Sequence, residues 1–357
     1  MRTRGVALLY ARGAACLMLL LSSISGAEAQ SADQFYKDKK ISIVVGFGPG
    51  GGYDLYARLL ARHFGQFVSA DGSPVVVENM PGAGSLRAAN HLFNSAPKDG
   101  TVIGTFERGM ILLGIIGNNP NIRFKPDQFT WLGSLSNFSD DSYLLYARSD
   151  AAVKSIADMI GPKAIPLKIG GTAPGAAAND VPILLRDALG LRMDLITGYP
   201  DGNAIYLALE RGEVEADSKA YSSLLSNRTQ WLKPDGFIRV LLQFGRATRH
   251  PHFPNAPTAR ELAKDDRSRA MIEMMELPYY LSRPFVAPPD IPKDRAAVLQ
   301  QAFSKVLHEP RFKEEASKLS VDVEGVESDE ASRLVTAMSK QPPELASALA
   351  RIIEGKR

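Results

Sequence analysis

Three short apolar runs alternate with two amphipathic segments over residues 41–106, and this alternation limits the fold more than any other feature of the chain. Ile41 to Phe47 precedes a helix-like pattern from Tyr53 to Val68, Val75 to Glu78 precedes Ser85 to Asn94, and Val102 to Phe106 closes the set. In the first amphipathic segment Leu55, Leu59 and Phe64 recur at helical spacing while Arg58 and Arg62 lie on another face. A βαβαβ order predicts a mostly parallel sheet with helices on both faces.

A second set follows the turn-rich Asn118 to Asp127. It runs through Tyr143 to Ala147, a helix near Lys154 to Ile160, strand Leu167 to Ile169, helix Ala176 to Leu189, strand Met193 to Ile196, helix Ala204 to Arg211 and a strand near Val214 to Lys219. Phe129 to Ser136 and Phe237 to Phe244 flank this block and read as two strands crossing between domains. Past a Pro-rich loop, His250 to Pro257, come the strand Leu281 to Ala287, Pro292 in a first helical turn, and charged amphipathic helices. The expectation is an α/β protein of two lobes with a ligand cleft between them, lobe 1 from 30–135 and 246–357, lobe 2 from 136–245. Such clefts bind small molecules by closing.

At the N-terminus, Arg2, Arg4 and Arg12 precede the apolar stretch Ala14 to Ile24, which ends in Ala27-Glu28-Ala29. This predicts a secretory signal peptide over residues 1–29, cut before Gln30, because the stretch is short of the roughly 20 residues a bilayer span needs. The one cysteine, Cys16, lies inside it, so the exported chain would carry no disulfide or thiolate. Removing the segment takes three arginines from 42 basic residues and one glutamate from 39 acidic ones, leaving 39 against 38. A nearly neutral protein argues against a nucleic-acid partner. With 45% apolar residues the chain can build two cores.

Residues 46–54 read GFGPGGGYD, and Gly46, Gly48 and Gly51 satisfy G-x-G-x-x-G, the dinucleotide fingerprint, with Glu78 as a candidate ribose acid. Pro49 removes an N–H from the loop, Asp54 places a carboxylate in the helix's first turn, and export removes the nicotinamide pool. A glycine turn entering a helix instead presents unpaired N–H groups and the positive end of the helix dipole, which suits a carboxylate. Asp54 then serves best as a cap. The chain has no phosphate loop, nucleophile elbow or H-E-x-x-H. His63, His91 and His308 have no nucleophile beside them in sequence. His250-Pro251-His252 and Asp140-Asp141 with Asp150 lack the spacing of a metal set, and Tyr279-Tyr280 and Phe285 read as packing residues. No cofactor and no metal are expected.

Phe47-Gly48-Pro49-Gly50-Gly51-Gly52-Tyr53-Asp54, Ala57-Arg58, Pro74 to Gly84 and Pro97-Lys98-Asp99-Gly100 occur in an order that resembles the substrate-binding proteins of tripartite tricarboxylate transporters, the Bug family, over about residues 40–340. The resemblance implies a type II periplasmic binding protein of the Venus flytrap kind, not an enzyme. Such a protein acts as a monomer, captures a small organic acid and hands it to a membrane permease; a sensory receptor is the alternative. It implies binding through backbone amides at Gly50, Gly51, Gly52 and Asp54 and in the loop of Pro81, Gly82, Ala83, Gly84 and Ser85, while Tyr53 and Tyr199 either stack on a ligand ring or pack at the lobe rim. It sets Gly171, Thr172 and Ala173, then Tyr199, Asp201 and Asn203, on the opposite wall, with Lys219 near the hinge. A lysine common in the family's Tyr-Lys-Gly loop is missing at 198–203, and Glu107 and Arg108 stand where small hydroxyl residues are usual. That pair reads either as a solvated loop or as a reader of an ammonium and a second carboxylate, and dicarboxylates, tricarboxylates, aromatic acids and amino acids all remain candidate ligands.

Overall fold

A computed structural model describes residues 32–117, 119–139 and 141–353. The expected signal peptide and Asp140 lie outside the described residues.

Lobe 1 opens with helix α1 (Ala32–Tyr36), β1 (Ile41–Val45), α2 (Gly52–Val68), β2 (Val75–Asn79), α3 (Leu86–Asn94), β3 (Val102–Thr105), α4 (Gly109–Ile116) and β4 (Thr130–Ser134). Lobe 2 follows with β5 (Tyr143–Arg148), β6 (Leu167–Gly170), α5 (Ala177–Leu189), β7 (Met193–Ile196), α6 (Gly202–Arg211), β8 (Ala216–Ala220), α7 (Tyr221–Arg228), β9 (Ile238–Phe244) and α8 (Asp266–Glu276). The remainder is β10 (Pro284–Ala287), α9 (Lys293–His308), α10 (Pro310–Lys318), β11 (Val326–Glu327), α11 (Ser328–Ser339) and α12 (Pro343–Ile353). None of the described helices is long and apolar enough to cross a membrane.

The first sheet runs β11-β4-β10-β3-β1-β2 and the second β7-β6-β8-β5-β9. As the alternation predicts, β1 pairs in parallel with β2 and β3, and β6 with β7 and β8. Antiparallel strands enter both sheets: β10 against β3 and β4 and β11 against β4 in the first, and β5 against β8 and β9 in the second. Side chains alternate across β1, so Ile41, Ile43 and Val45 meet Leu59, Leu60 and Phe64 of α2 and Phe303 of α9, whereas Val44 meets Ala88 and Leu92 of α3 on the other face. In lobe 2, Leu145 and Ile169 pack under α5 and Leu144 and Tyr146 under α6 and α7.

The segments read as crossing strands, β4 and β9, each stay within one sheet. The crossings are the stretches beyond β4 and before β10, and they bond to each other: Leu135 N–H donates to Arg283 O and Ser282 N–H to Ser136 O, both at 3.0 Å. The packing also differs from the expected division at 246. Met271, Ile272, Met274 and Met275 of α8 bury against Leu184 and Leu185 of α5, and Leu349 and Ile353 of α12 join the same core. An amphipathic helix carries a periodicity but no address, so its sequence does not say which sheet it covers. Helix α4, apolar on every side, contributes Leu112 and Ile116 to lobe 2 and Met110, Ile111 and Leu113 to lobe 1. The lobes are thus in contact through α4, α12 and the paired crossings.

Candidate ligand cleft

A cavity of about 90 Å³ lies between the lobes at the C-terminal ends of their strands. Its lobe 1 wall starts where β1 runs into α2. Gly51 caps α2 with no side-chain hydrogen bond, and Gly51, Gly52 and Tyr53 face the cavity. A Cβ at Gly52 would sit 3.0 Å from Ser223 Oγ and 3.5 Å from an Arg283 guanidinium nitrogen, so both side chains stand over this helix start. Helix starts carry partial positive charge and unsatisfied N–H groups, which arginine reinforces.

Arg108 and Arg283 are almost fully buried cations, each 3% exposed. Arg108 lies over the rings of Tyr279, Phe138 and Tyr143 at 4.2, 5.2 and 5.4 Å, and its Nη1 donates to Ser282 O at 3.2 Å. Arg283 lies over Tyr53 and Tyr56 and donates to Ser282 O at 3.0 Å. Burial raises the hydroxyl pKa of Tyr53, Tyr143 and Tyr279, so these rings stay neutral. The aromatic faces supply the stabilisation that water gives an exposed guanidinium. Arg108 Nε, Arg283 Nε, Thr172 Oγ1 and Tyr206 Oη belong to residues that line this space, are buried, and have no hydrogen-bond partner within the described protein. Buried polar atoms seldom stay unpaired, so four of them from both lobes mark a place built for a polar occupant.

Lobe 2 brings two more helix starts. At α6, Asp201 accepts the N–H groups of Asn203 and Ala204 at 2.9 and 3.0 Å, and Lys219 Nζ lies 3.6 Å from Asp217 Oδ2. Burial raises Asp217, with Lys219 and Tyr146 pulling the other way. At α5, Ala177 N–H donates at 3.4 Å to Glu107 Oε1, which comes from lobe 1. Behind it Asp180 accepts the Gly175 N–H at 2.9 Å, and burial lifts its carboxyl to about 7. Among the described residues, no group of three or more His, Cys, Asp or Glu is placed to hold a metal ion.

The family model of the tripartite tricarboxylate transporter family receptor matches residues 60–350. This chain belongs to that family. It is similar to a UPF0065 protein in the gbd 5' region of Cupriavidus necator, 26% identical over 302 residues that cover 83% of this chain and 82% of that one. Among solved structures it resembles the periplasmic binding protein BugD, with a TM-score of 0.66 and 22% identity over 88% of this chain and 97% of that one. It also resembles MatC from Rhodopseudomonas palustris with bound malate, with a TM-score of 0.64 and 20% identity over 88% and 99%. The structural likenesses show a shared fold, two-lobed as expected.

Of the residues the family resemblance singles out, Gly51, Gly52, Tyr53, Glu107, Arg108, Thr172, Asp201, Asn203 and Lys219 line the cavity of this receptor. Gly50 and Asp54 do not: the Gly50 N–H donates to Asp54 Oδ2 at 2.8 Å, and Asp54 also accepts from Arg58 and Asn79. Asp54 is therefore the brace of the glycine turn, buried and held below the usual carboxylate range by those bonds, which outweigh the rise from burial.

Pro81, Gly82, Ala83, Gly84 and Ser85 also stand off the cavity. Gly82, Ala83, Gly84 and Ser85 all have positive φ. A Cβ at Gly84 would lie 3.2 Å from both Ala173 O and Ala176 Cβ, so the loop closely approaches the other lobe at Ala173. Ser85 Oγ accepts the Glu107 N–H at 3.0 Å and aims Glu107 across the cleft. Gly171 donates to Ile196 O within the lobe 2 sheet region, and Tyr199, half-buried, packs against the cluster under α6.

Sequence reasoning missed Arg283, Tyr143, Tyr206 and Ser223, which line the cavity. Arg283 immediately precedes β10, Tyr143 begins β5, and Tyr206 and Ser223 sit on ordinary helix patterns, so none carries a local signal. The histidines stand elsewhere. His63 is held between Glu309 and Glu315, each at 2.7 Å, and His252 Nδ1 meets the Tyr221 hydroxyl at 2.6 Å.

Proposed function

We propose that this chain is an extracytoplasmic solute-binding receptor that closes its two lobes over a small organic carboxylate and passes it to a tripartite membrane transporter, without chemical turnover. The observation that carries the reading is the uncapped start of α2 under Arg283, facing Thr172 and Tyr206 of the other lobe across one cavity. The α2 start and Arg283 take the carboxylate, and the lobe 2 hydroxyls take the rest of the ligand. The family match supports the receptor role, and the malate in the MatC structure supports an organic acid. An exported periplasmic location follows from the Arg-flanked apolar stretch at residues 2–29.

The energetics need no catalytic group. A charge-assisted hydrogen bond contributes about 1.5–3 kcal/mol, and micromolar affinity needs about −8 kcal/mol, so a few such bonds suffice after ordering costs.

A thermal-shift panel of dicarboxylates, tricarboxylates, aromatic acids, amino acids and nicotinamide dinucleotides tests the reading. A ligand at a hundred times its dissociation constant stabilises by about 2.7 kcal/mol, a readable rise in midpoint. A rise with acids and recovery of the acid unchanged is the expected result. A rise with dinucleotides alone, or consumption of the acid, removes the receptor reading.

A further inference from the structure

The start of α5 faces the cavity, and a side chain of the opposite lobe already fills it. Glu107 leaves the end of β3, is 4% exposed, and its Oε1 accepts the Ala177 N–H at 3.4 Å. That is a long bond for a buried carboxylate. The nearest cation, Arg108 Nε at 3.9 Å, is beyond hydrogen-bond reach; that nitrogen is buried and unpartnered among the described residues, while Nη1 donates to Ser282 and the guanidinium lies over Tyr279. Thr172, 6% exposed, lines the cavity with its Oγ1 unpartnered among the described residues. Asp180, also buried, stands in the same first turn of α5. Asp180 lies behind this helix start and off the cavity, so Glu107 and the Thr172 hydroxyl set the acceptors at one end, while α2 and Arg283 set donors at the other.

We propose that Glu107 sets the ligand class: the receptor takes a monocarboxylate whose far end is a hydrogen-bond donor, an amide or an ammonium, and rejects the diacid of the same length. The assignment rests on the reading of this cleft as a carboxylic-acid site. A donor at the far end completes the coordination of Glu107 and pairs with Thr172. A second carboxylate there meets the like charge of Glu107 in a closed, desolvated space, and the helix start that would have stabilised it is occupied. Rejection through an unpaired like charge separates two ligands of nearly equal shape, which apolar contacts do poorly.

Isothermal titration of the full chain with malonate, succinate, glutarate and adipate, each beside its monoamide and the ω-amino acid of matching length, reads the preference directly. At the length that fits, the better of the two donor-bearing ligands binds at least tenfold tighter than the diacid, and in Glu107→Gln that ratio falls at least tenfold. The wild-type ratio stands without the variant, and a thermal midpoint shows whether the variant is folded. Diacids that bind as tightly as their partners at every length, or a ratio unchanged in a folded Glu107→Gln, overturn the assignment and leave the acid-receptor reading intact. No binding by any series, with no midpoint rise across the wider acid panel, removes that reading and this one with it.

Discussion

The guanidinium carbon of Arg108 lies 4.2 Å from the ring centroid of Tyr279, so a cation at the end of a lobe 1 strand is seated on an aromatic face of the lobe 2 core. Tyr143 and Phe138 close the box, and the Arg108 N–H donates to Tyr53 Oη at 3.0 Å. The residue that sequence reading offered as a reader of a ligand carboxylate thus ties the two lobes together.

Truncating that tie removes its stacking and one of the two arginine donors to Ser282, leaving Arg283 Nη1 as the other. Arg108→Ala is expected to lower unfolding free energy by about 3 kcal/mol, and Arg108→Lys to recover less than half, because an ammonium neither stacks nor forks as a guanidinium does. Urea denaturation measures both. Stability within about 0.5 kcal/mol of the parent would show that the aromatic box does not hold the arginine.

Arg283 stands over the uncapped start of α2. Arg283→Gln removes one charge-assisted contact, and binding of the cognate acid should weaken roughly 10- to 150-fold, corresponding to about 1.5–3 kcal/mol. Calorimetry on the folded variant gives the number. An unchanged dissociation constant would move the carboxylate site away from α2.

A methyl group at Gly109 would lie 2.4 Å from the Gly175 carbonyl oxygen of the other lobe. Neither backbone can yield cheaply, so Gly109→Ala should hold the lobes apart in the liganded state. The expected result is a larger radius of gyration by X-ray scattering at saturating ligand and binding about 5- to 150-fold weaker, from the roughly 1–3 kcal/mol that overpacking costs. Scattering curves that superpose on those of the parent would place the closing contact elsewhere.

Asp180 gives a pH dependence of defined sign. Burial raises its carboxyl from 3.8 to about 7, so the folded state holds the proton more tightly than the unfolded chain. Its contribution to stability is full below about pH 4 and is lost as pH rises through about 7. Glu276, raised by burial to about 7 against the pull of Arg260, slopes the same way, so only a difference isolates one group. Asp180→Asn keeps an acceptor for the Gly175 N–H, and its stability relative to the parent should increase between pH 4 and pH 7.5. A flat difference across that range would mean that Asp180 titrates normally.

Local pattern was enough for much of this protein. Alternating apolar runs and amphipathic segments determined the parallel strands β1, β2 and β3, because side-chain period and burial are properties of neighbouring residues. The glycines before α2 and the apolar run before them determined a helix start at the end of a strand. Asp54 was legible as a brace of the glycine turn for the same reason, its partners lying within a few residues or one strand away.

Tertiary structure alone decided the rest. Which sheet α8 and α12 cover depends on surfaces formed by segments far away in the chain. Glu107 and Ala177 are 70 positions apart, and nothing around either residue indicates that a carboxylate from one lobe ends at a helix start of the other. Arg283 became a site residue because the paired crossings set it over α2 from the far side of the sequence. A hydrogen bond or a charge acts through space over a few ångströms, and only the folded chain sets those distances.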